Sequence, residues 1–349
     1  MAFCTYPLCA QEAVTTPVGV VTVSIAGSPN GSSFAQTQFS APLRESAVIQ
    51  GIARGTVSSV TTDSIGSTGA GWQVGGLSAV GSPFFVEIRS GQASGRIFQI
   101  LSNTADSISI RRSGLDANID LTSLGIAPGD SFEIFPGDTL LSLLGTPADG
   151  VVGGTSSQFS ANQTDRVIIN DPANNTAITY FFDTGGVNPN QWRRLGSNAN
   201  QGTIVISPRM GVVYQRISTD ALQLSFTGAV PERAATMRLP RAGTTIVSRY
   251  FPTDGSLASL GLHTLSGWRK LGDSGVTVPT TDRVIVKVGS TLISYYFDAT
   301  AVPAQWRRVG SGANQDTVSI PAGSSVRLIR NGQVGEFDSW TYALPYALN

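Results

Sequence analysis

Apolar and polar residues alternate with a period of two along most of the chain. Pro83-Phe-Phe-Val-Glu-Ile-Arg89, Arg96-Ile-Phe-Gln-Ile-Leu101 and Ser107-Ile-Ser-Ile-Arg111 are separated by stretches rich in Gly, Ser, Asn and Asp, the pattern of a three-stranded meander. Ala127-Pro-Gly-Asp130 predicts a turn, after which Ser131-Phe-Glu-Ile-Phe135 resumes the strand period. The best helix candidate is short: Asp138-Thr-Leu-Leu-Ser-Leu-Leu144, with Asp138 as its cap and Gly145 as its stop. Residues 149–160 are rich in Gly and Ser and mark a domain boundary. The expected architecture is therefore all-β, with two β-sandwich or barrel-like domains at 14–150 and 151–349.

The second half repeats itself. Thr164-Asp-Arg-Val-Ile-Ile169, Ile178-Thr-Tyr-Phe-Phe-Asp183, Gln191-Trp-Arg-Arg-Leu-Gly-Ser197 and Asn200-Gln-Gly-Thr-Ile-Val-Ile206 recur in the same order. The second set is Thr281-Asp-Arg-Val-Ile-Val286, Ile293-Ser-Tyr-Tyr-Phe-Asp298, Gln305-Trp-Arg-Arg-Val-Gly-Ser311 and Asn314-Gln-Asp-Thr-Val-Ser-Ile320. Thr245-Ile-Val-Ser-Arg-Tyr-Phe251 and Gly267-Trp-Arg-Lys-Leu-Gly272 read as a degenerate third copy between them. No single strand–turn–strand–Trp-Arg-Arg unit can bury both faces of its aromatic strand, so the units are expected to stack or interlock.

Composition narrows the partners. Charged residues make up 13% of the 349 residues, about half of the roughly 25% usual in globular domains, and the formal net charge is zero. A field that gathers phosphate backbones or anionic lipid is missing, which argues against nucleic acid and against a membrane surface. No stretch has the roughly 18 apolar residues of a membrane span. Lysine occurs only at Lys270 and Lys287, so the cationic chemistry is that of planar, fixed guanidinium groups. Cys4 and Cys9 are the only cysteines and lie together at the start, where Met1 to Ala13 resembles the remnant of a secretory signal peptide.

Three groups of residues are candidates for a site. Trp192, Arg193 and Arg194, then Trp268 and Arg269, then Trp306, Arg307 and Arg308, either pack as indoles in the core with arginines on carboxylates, or form a repeated platform for a glycan. Asp165, Asp183, Asp282 and Asp298 stand at matching strand ends. Repetition argues against an acid/base pair there, because catalysis needs two carboxylates in unlike environments. They are expected to serve turns and arginines, and no calcium-loop pattern accompanies them. His263, the single histidine, is expected on a loop surface. No metal site, nucleotide cofactor or other cofactor is indicated, and no catalytic residue.

The ordered set Phe84-Phe-Val-Glu-Ile-Arg-Ser-Gly91, Gly129-Asp-Ser-Phe-Glu-Ile134, Thr139-Leu-Leu-Ser-Leu-Leu144 and the Trp-Arg-Arg-x-Gly units resembles an uncharacterised family of exported, β-rich bacterial proteins of verrucomicrobial type. The resemblance implies export, to the cell surface or beyond, and carries no activity, ligand or catalytic residue with it. The reading that best fits is a non-enzymatic structural or surface-assembly protein that associates with itself as a homo-oligomer or filament. Its assembly strands would be Val20, Val21, Val23 and Ile25 near the start and Trp340, Tyr342, Leu344 and Tyr346 at the end. A carbohydrate-binding module using the tryptophans, and a viral tail or capsid-like component, are the alternatives.

Overall fold

In the computed structural model the chain is all-β and sandwich-like, and the structure describes residues 17–43, 54–171, 176–186, 189–288 and 291–347. The signal-like residues 1–13 lie outside these. The chain begins with β1 (Val18–Ile25) and β2 (Ala35–Phe39). It then forms β3 (Arg54–Thr56), β4 (Ser59–Val60), β5 (Ser64–Gly66), β6 (Phe84–Ile88), β7 (Ile97–Asn103), β8 (Ser107–Ile110) and β9 (Ser131–Pro136). Next come β10 (Asp138–Thr139), α1 (Leu140–Leu144), α2 (Ser156–Ser160), β11 (Arg166–Asp171), β12 (Thr176–Asp183), β13 (Gln191–Arg194), β14 (Val205–Ile206), β15 (Val212–Arg216) and β16 (Leu222–Ala229). The last part holds β17 (Ala235–Pro240), β18 (Ala242–Ser248), β19 (Gly255–Ser256), β20 (Arg283–Val288), β21 (Thr291–Asp298), β22 (Gln305–Arg308), β23 (Ser319–Ile320), β24 (Ser325–Asn331) and β25 (Phe337–Tyr342).

Strand pairing exposes a duplication wider than the repeated motifs. One five-stranded sheet has the order β13-β12-β11-β15-β2 and another the order β22-β21-β20-β24-β18. Two-stranded ribbons accompany each in the same way: β1-β16 and β10-β14 in one, β17-β25 and β19-β23 in the other. β12 and β21 even share their gradient of burial, exposed at the first residues and buried over the last four. The chain therefore consists of two copies of one β-unit, the second continuous from β17 to β25. The first is interrupted between β2 and β10 by an inserted seven-stranded sheet of order β3-β9-β6-β7-β8-β5-β4.

These pairings move the expected boundary. A division near residue 150 separates β1 and β2 from β16 and β15, their ladder partners. They also leave two copies rather than three. Thr245–Phe251 covers the end of β18, which matches β2, and the three residues after it, and the Gly267–Gly272 segment lies in the connection leading into β20. The helix begins one residue later than its sequence suggests. Asp138 is held in the β10 ladder opposite Ile206, and Thr139 caps α1 by accepting from the Ser142 N–H while Ser142 Oγ accepts from its own.

The inserted sheet is docked, not separate. In β6 the residues Phe84, Val86 and Ile88 enter the insert's own apolar cluster, whereas Phe85, with Ile97 and Phe135, joins the core of the second copy. All five residues of β6 are consequently buried. Arginines fasten the edges: Arg89 pairs with Glu133 and with Glu232 at 2.7 Å, Arg209 with Asp116 at 2.5 Å, and Arg238 donates to the Ala117 carbonyl at 2.7 Å. Each crosses from the insert to one copy or the other, apart from the Arg89–Glu133 pair within the insert.

The two copies meet through reciprocal contacts, the signature of an approximate two-fold axis. Ser40 N–H donates to the Gly323 carbonyl at 2.8 Å, and the matching Ser248 N–H donates to the Arg209 carbonyl at 2.9 Å. Phe39 bridges Ser324 as Val247 bridges Met210. By register, Gly211 and Ser325 are the same position in the two copies, and they face each other across this axis. A β carbon on Gly211 would lie 2.3 Å from Ser325 Cβ and 2.6 Å from Ile246 Cγ2. Only one side chain fits. Gly211→Ser should thus destabilise the protein by about 1–3 kcal/mol through overpacking, whereas Gly211→Ser combined with Ser325→Gly should recover part of the loss, the Ile246 contact remaining; denaturant midpoints of the three proteins measure both effects.

Candidate functional site

Trp192 lies in β13 directly opposite Phe182 of β12, and the rings meet edge to face at 5.7 Å. The matching Trp306 of β22 stands opposite Phe297 at 5.5 Å. Both indoles are fully buried, at 0% exposure. Trp192 Nε1 donates to the Gly145 carbonyl at 2.9 Å, which ties the end of α1 to β13. Arg193 is buried and pairs with Asp183 at 3.2 Å, while Arg307 pairs with Asp298 at 3.1 Å. The second arginine of each motif, Arg194 or Arg308, is exposed. Trp and its successor face opposite ways, and the motif's third residue is exposed as the last of its strand.

Trp268 has a different place. The backbone of Arg269 exchanges hydrogen bonds with Asp282 just as Val152 does with Asp165, so Trp268 matches Val151 and not the other two tryptophans. It is buried at 1% exposure, edge-on to Trp306 at 5.9 Å, with the Arg330 guanidinium 4.9 Å from its ring centre. Arg269 donates to the Asn331 carbonyl at 2.8 Å. A stacking platform for a glycan needs exposed rings, and none of the three has one.

The repeated aspartates are junctions. Asp165, at 0% exposure, accepts from the Val152 and Ile217 N–H groups at 2.9 Å each, from Tyr214 Oη at 2.7 Å and from Arg216 at 2.9 Å. Asp282, also at 0%, accepts from the Arg269 and Asn331 N–H groups and from Arg330 Nε at 2.6 Å. Burial beside Asp165 drives the Tyr214 hydroxyl far above the ordinary phenol range. Burial raises Asp282 above the ordinary carboxylate range although Arg330 opposes the shift. Asp298 and Asp338 go the other way. Burial pushes each up, but hydrogen bonds from Thr300, with Arg307 near, hold Asp298 low, and Arg330 and Arg241 hold Asp338 low.

His263 departs from its expected place on the loop surface. It is half-buried, stacked on Phe297 at 4.3 Å and edge-on to Trp306 at 6.0 Å, because the turns after β19 fold back over the aromatic cluster. Burial, aided by Lys270, lowers its pKa. No nucleophile–base pairing involves it among the described hydrogen bonds. Among the described residues no cluster of three or more His, Cys, Asp and Glu forms a metal site.

The proposed assembly strands are built into the fold. β1 pairs with β16 over its full length and buries Val21, Val23 and Ile25, leaving Val20 outside at 66% exposure. β25 pairs with β17, and Trp340 and Tyr342 are buried. Leu344 and Tyr346 follow the strand, half-buried, with Tyr346 Oη donating to the Pro231 carbonyl at 2.6 Å.

An open polar cleft of about 280 Å³ lies at the junction of the copies between β1, β2, β20 and the approach to β24. Lys287 and Gln38 line it, with Ser325 and Thr37. The only sequence signal for it was the scarcity of lysine. Comparison with protein-family models, with curated proteins and with solved structures finds no match.

Asp165→Ala should cost roughly 3–5 kcal/mol, because it strands Arg216 without a counter-charge, while Arg194→Ala should stay within about 0.5 kcal/mol of the parent; chemical denaturation separates the two. In acid, Asp338 has a folded pKa below its unfolded value. Its stabilisation is complete above the unfolded pKa and disappears as pH falls through the folded one, on the acid side of the ordinary carboxylate range. Asp338→Asn should therefore flatten that limb of the stability curve, measured as thermal midpoint against pH. The raised Asp282 contributes in the opposite sense, since protonation there relieves a buried charge.

Proposed function

We propose that this is a non-enzymatic structural or assembly protein, exported to the cell surface or beyond, which associates with further copies of itself. Export rests on the family resemblance and on the signal-like residues 1–13. The observation that carries the assembly reading is the β1–β16 ribbon. Among the described residues it has only two strands, so β1 keeps one backbone edge outside any described ladder, and Val18 and Val20 are 64% and 66% exposed. An apolar groove of about 560 Å³ continues this surface along Val230, Pro252 and Tyr346. A valine-rich edge beside an apolar groove suits the edge of another β-sheet. Zero net charge removes the long-range repulsion that would keep identical subunits apart.

The repeated residues support a non-catalytic role. Indoles, arginines and carboxylates at matching positions are engaged with one another inside each copy, and the matching carboxylates share similar surroundings instead of the contrast that acid/base work requires. No described helix is long and apolar enough to cross a membrane. The glycan-binding alternative through the tryptophans has no observation in its favour.

Size-exclusion chromatography with light scattering, followed by negative-stain microscopy, should show a defined oligomer or polymer. Val20→Lys should reduce it to monomer without shifting the thermal midpoint, because that side chain is outside the core. A parent protein that stays monomeric at every concentration, or a Val20→Lys variant that assembles normally, rules out this edge. Deleting β1 is not a fair test, since the strand is integral to the fold.

A further inference from the structure

Duplication supplies an internal comparison for every residue at the junction of the copies. By ladder register, Lys287 matches Asn170, Gln38 matches Ile246, and Ser325 matches Gly211. The approximate two-fold axis thus creates two equivalent corners. One carries an ammonium, an amide and a hydroxyl where the other carries an amide, an isoleucine and a glycine.

Both corners hold an unpartnered hydroxyl, Ser325 at the first and Thr245 at the second, but only the first holds an unpartnered amide. Gln38 is 97% buried, from an exposure of 3%, yet neither its Oε1 nor its Nε2 has a hydrogen-bond partner. Ser325, at 2% exposure, has an unpartnered hydroxyl. Lys287 Nζ donates to Thr37 Oγ1 at 3.1 Å. All ion pairs among the described residues belong to arginines, so this ammonium has no carboxylate. At the other corner Asn170 Nδ2 also reaches across to the opposite strand, to the Thr244 carbonyl, without a charge. A buried amide with both ends open costs free energy that a bound polar molecule removes.

We propose that this cleft binds one small polyhydroxylated carboxylate, of the sugar-acid class, with the carboxylate on Lys287 and hydroxyls on Gln38 and Ser325. A single cation matches a monoanion. An amide that must both donate and accept, next to a serine hydroxyl, matches alcohol groups, which do both. Phosphate is a poorer fit, since neither an arginine fork nor a row of backbone N–H groups lines the cleft. A volume of about 280 Å³ restricts the ligand to one small molecule. Burial lowers the Lys287 pKa, and an anion in the cleft would reverse that trend.

Isothermal titration calorimetry of the full chain tests this with D-glucuronate, D-glucose and inorganic phosphate as probes. Glucuronate should bind one per chain, and glucose, with the hydroxyls but no charge, about ten-fold or more weakly, the magnitude of one charge-assisted hydrogen bond. Lys287→Met should weaken glucuronate to the level of glucose. Gln38→Ile, which copies the residue of the other corner, should weaken both sugars. Thermal midpoints check that the variants fold; Lys287 is only half-buried, so its variant remains informative if Gln38→Ile is unstable. Absence of glucuronate binding, unchanged affinity in Lys287→Met, or a stoichiometry of two would overturn the proposal. Phosphate bound more tightly than glucuronate would overturn the ligand class.

Discussion

A buried carboxylate at the head of a strand organises each copy of this protein. Asp165 and Asp282 sit one residue before β11 and β20, and each collects backbone N–H groups from two other segments plus an arginine from the neighbouring strand. The loop entering the strand and the end of the strand beside it are thereby fixed to one atom group. A charge at zero exposure is tolerable only when its lone pairs are filled and a counter-charge is adjacent. That requirement sets the position of Arg216 and Arg330, and through Arg330 the position of Asp338 and of the Trp268 ring. The register of β15 and β24 against β11 and β20 follows.

Once the carboxylate junction is set, the rest of each unit can vary. In the first copy the connection between β2 and β10 accommodates a whole seven-stranded sheet, while in the second β18 leads to β19 within a few residues. Such an insertion is tolerated because both ends of the gap are held by strands that pair elsewhere, β2 with β15 and β10 with β14. The insert in turn lends Phe85, Ile97 and Phe135 to the other copy's core, so it works as a brace across the duplication.

The strands were legible in the sequence because burial on one face imposes a period of two, and β6, β7, β8 and β9 fall where alternation places them. Their partners were not. β1 pairs with β16, Val18 against Ala229, and nothing local to either strand encodes that distance. The duplication was visible only where both copies need the same side chains: the Asp-Arg strand heads and the Gln-Trp-Arg-Arg edges. β1, β2, β15 and β16 match their counterparts mainly in pairing, Arg216 apart, since apolar alternation serves over most of their length, so the repeat looked shorter than it is. Trp268 misled for the opposite reason. Its Trp-basic-basic-apolar-Gly context copies the motif, but the residue fills the core at a place where the first copy uses Val151.

The same comparison separates framework from site. When two copies of one fold share a chain, a residue kept in both answers a demand that both impose, and that demand is folding: Trp192 with Trp306, Asp183 with Asp298, Arg216 with Arg330. A function exercised once per chain has to reside where the copies differ. By that criterion the Trp-Arg-Arg motifs, the most conspicuous feature of the sequence, are poor candidates for recognition, and the unmatched features gain weight. These are the inserted sheet, the open edge of β1, and the corner where Lys287 and Gln38 replace Asn170 and Ile246. The buried Gln38 amide makes the argument most sharply. Its counterpart shows that an aliphatic side chain satisfies the packing at that position, so packing alone does not account for an amide with two open valences.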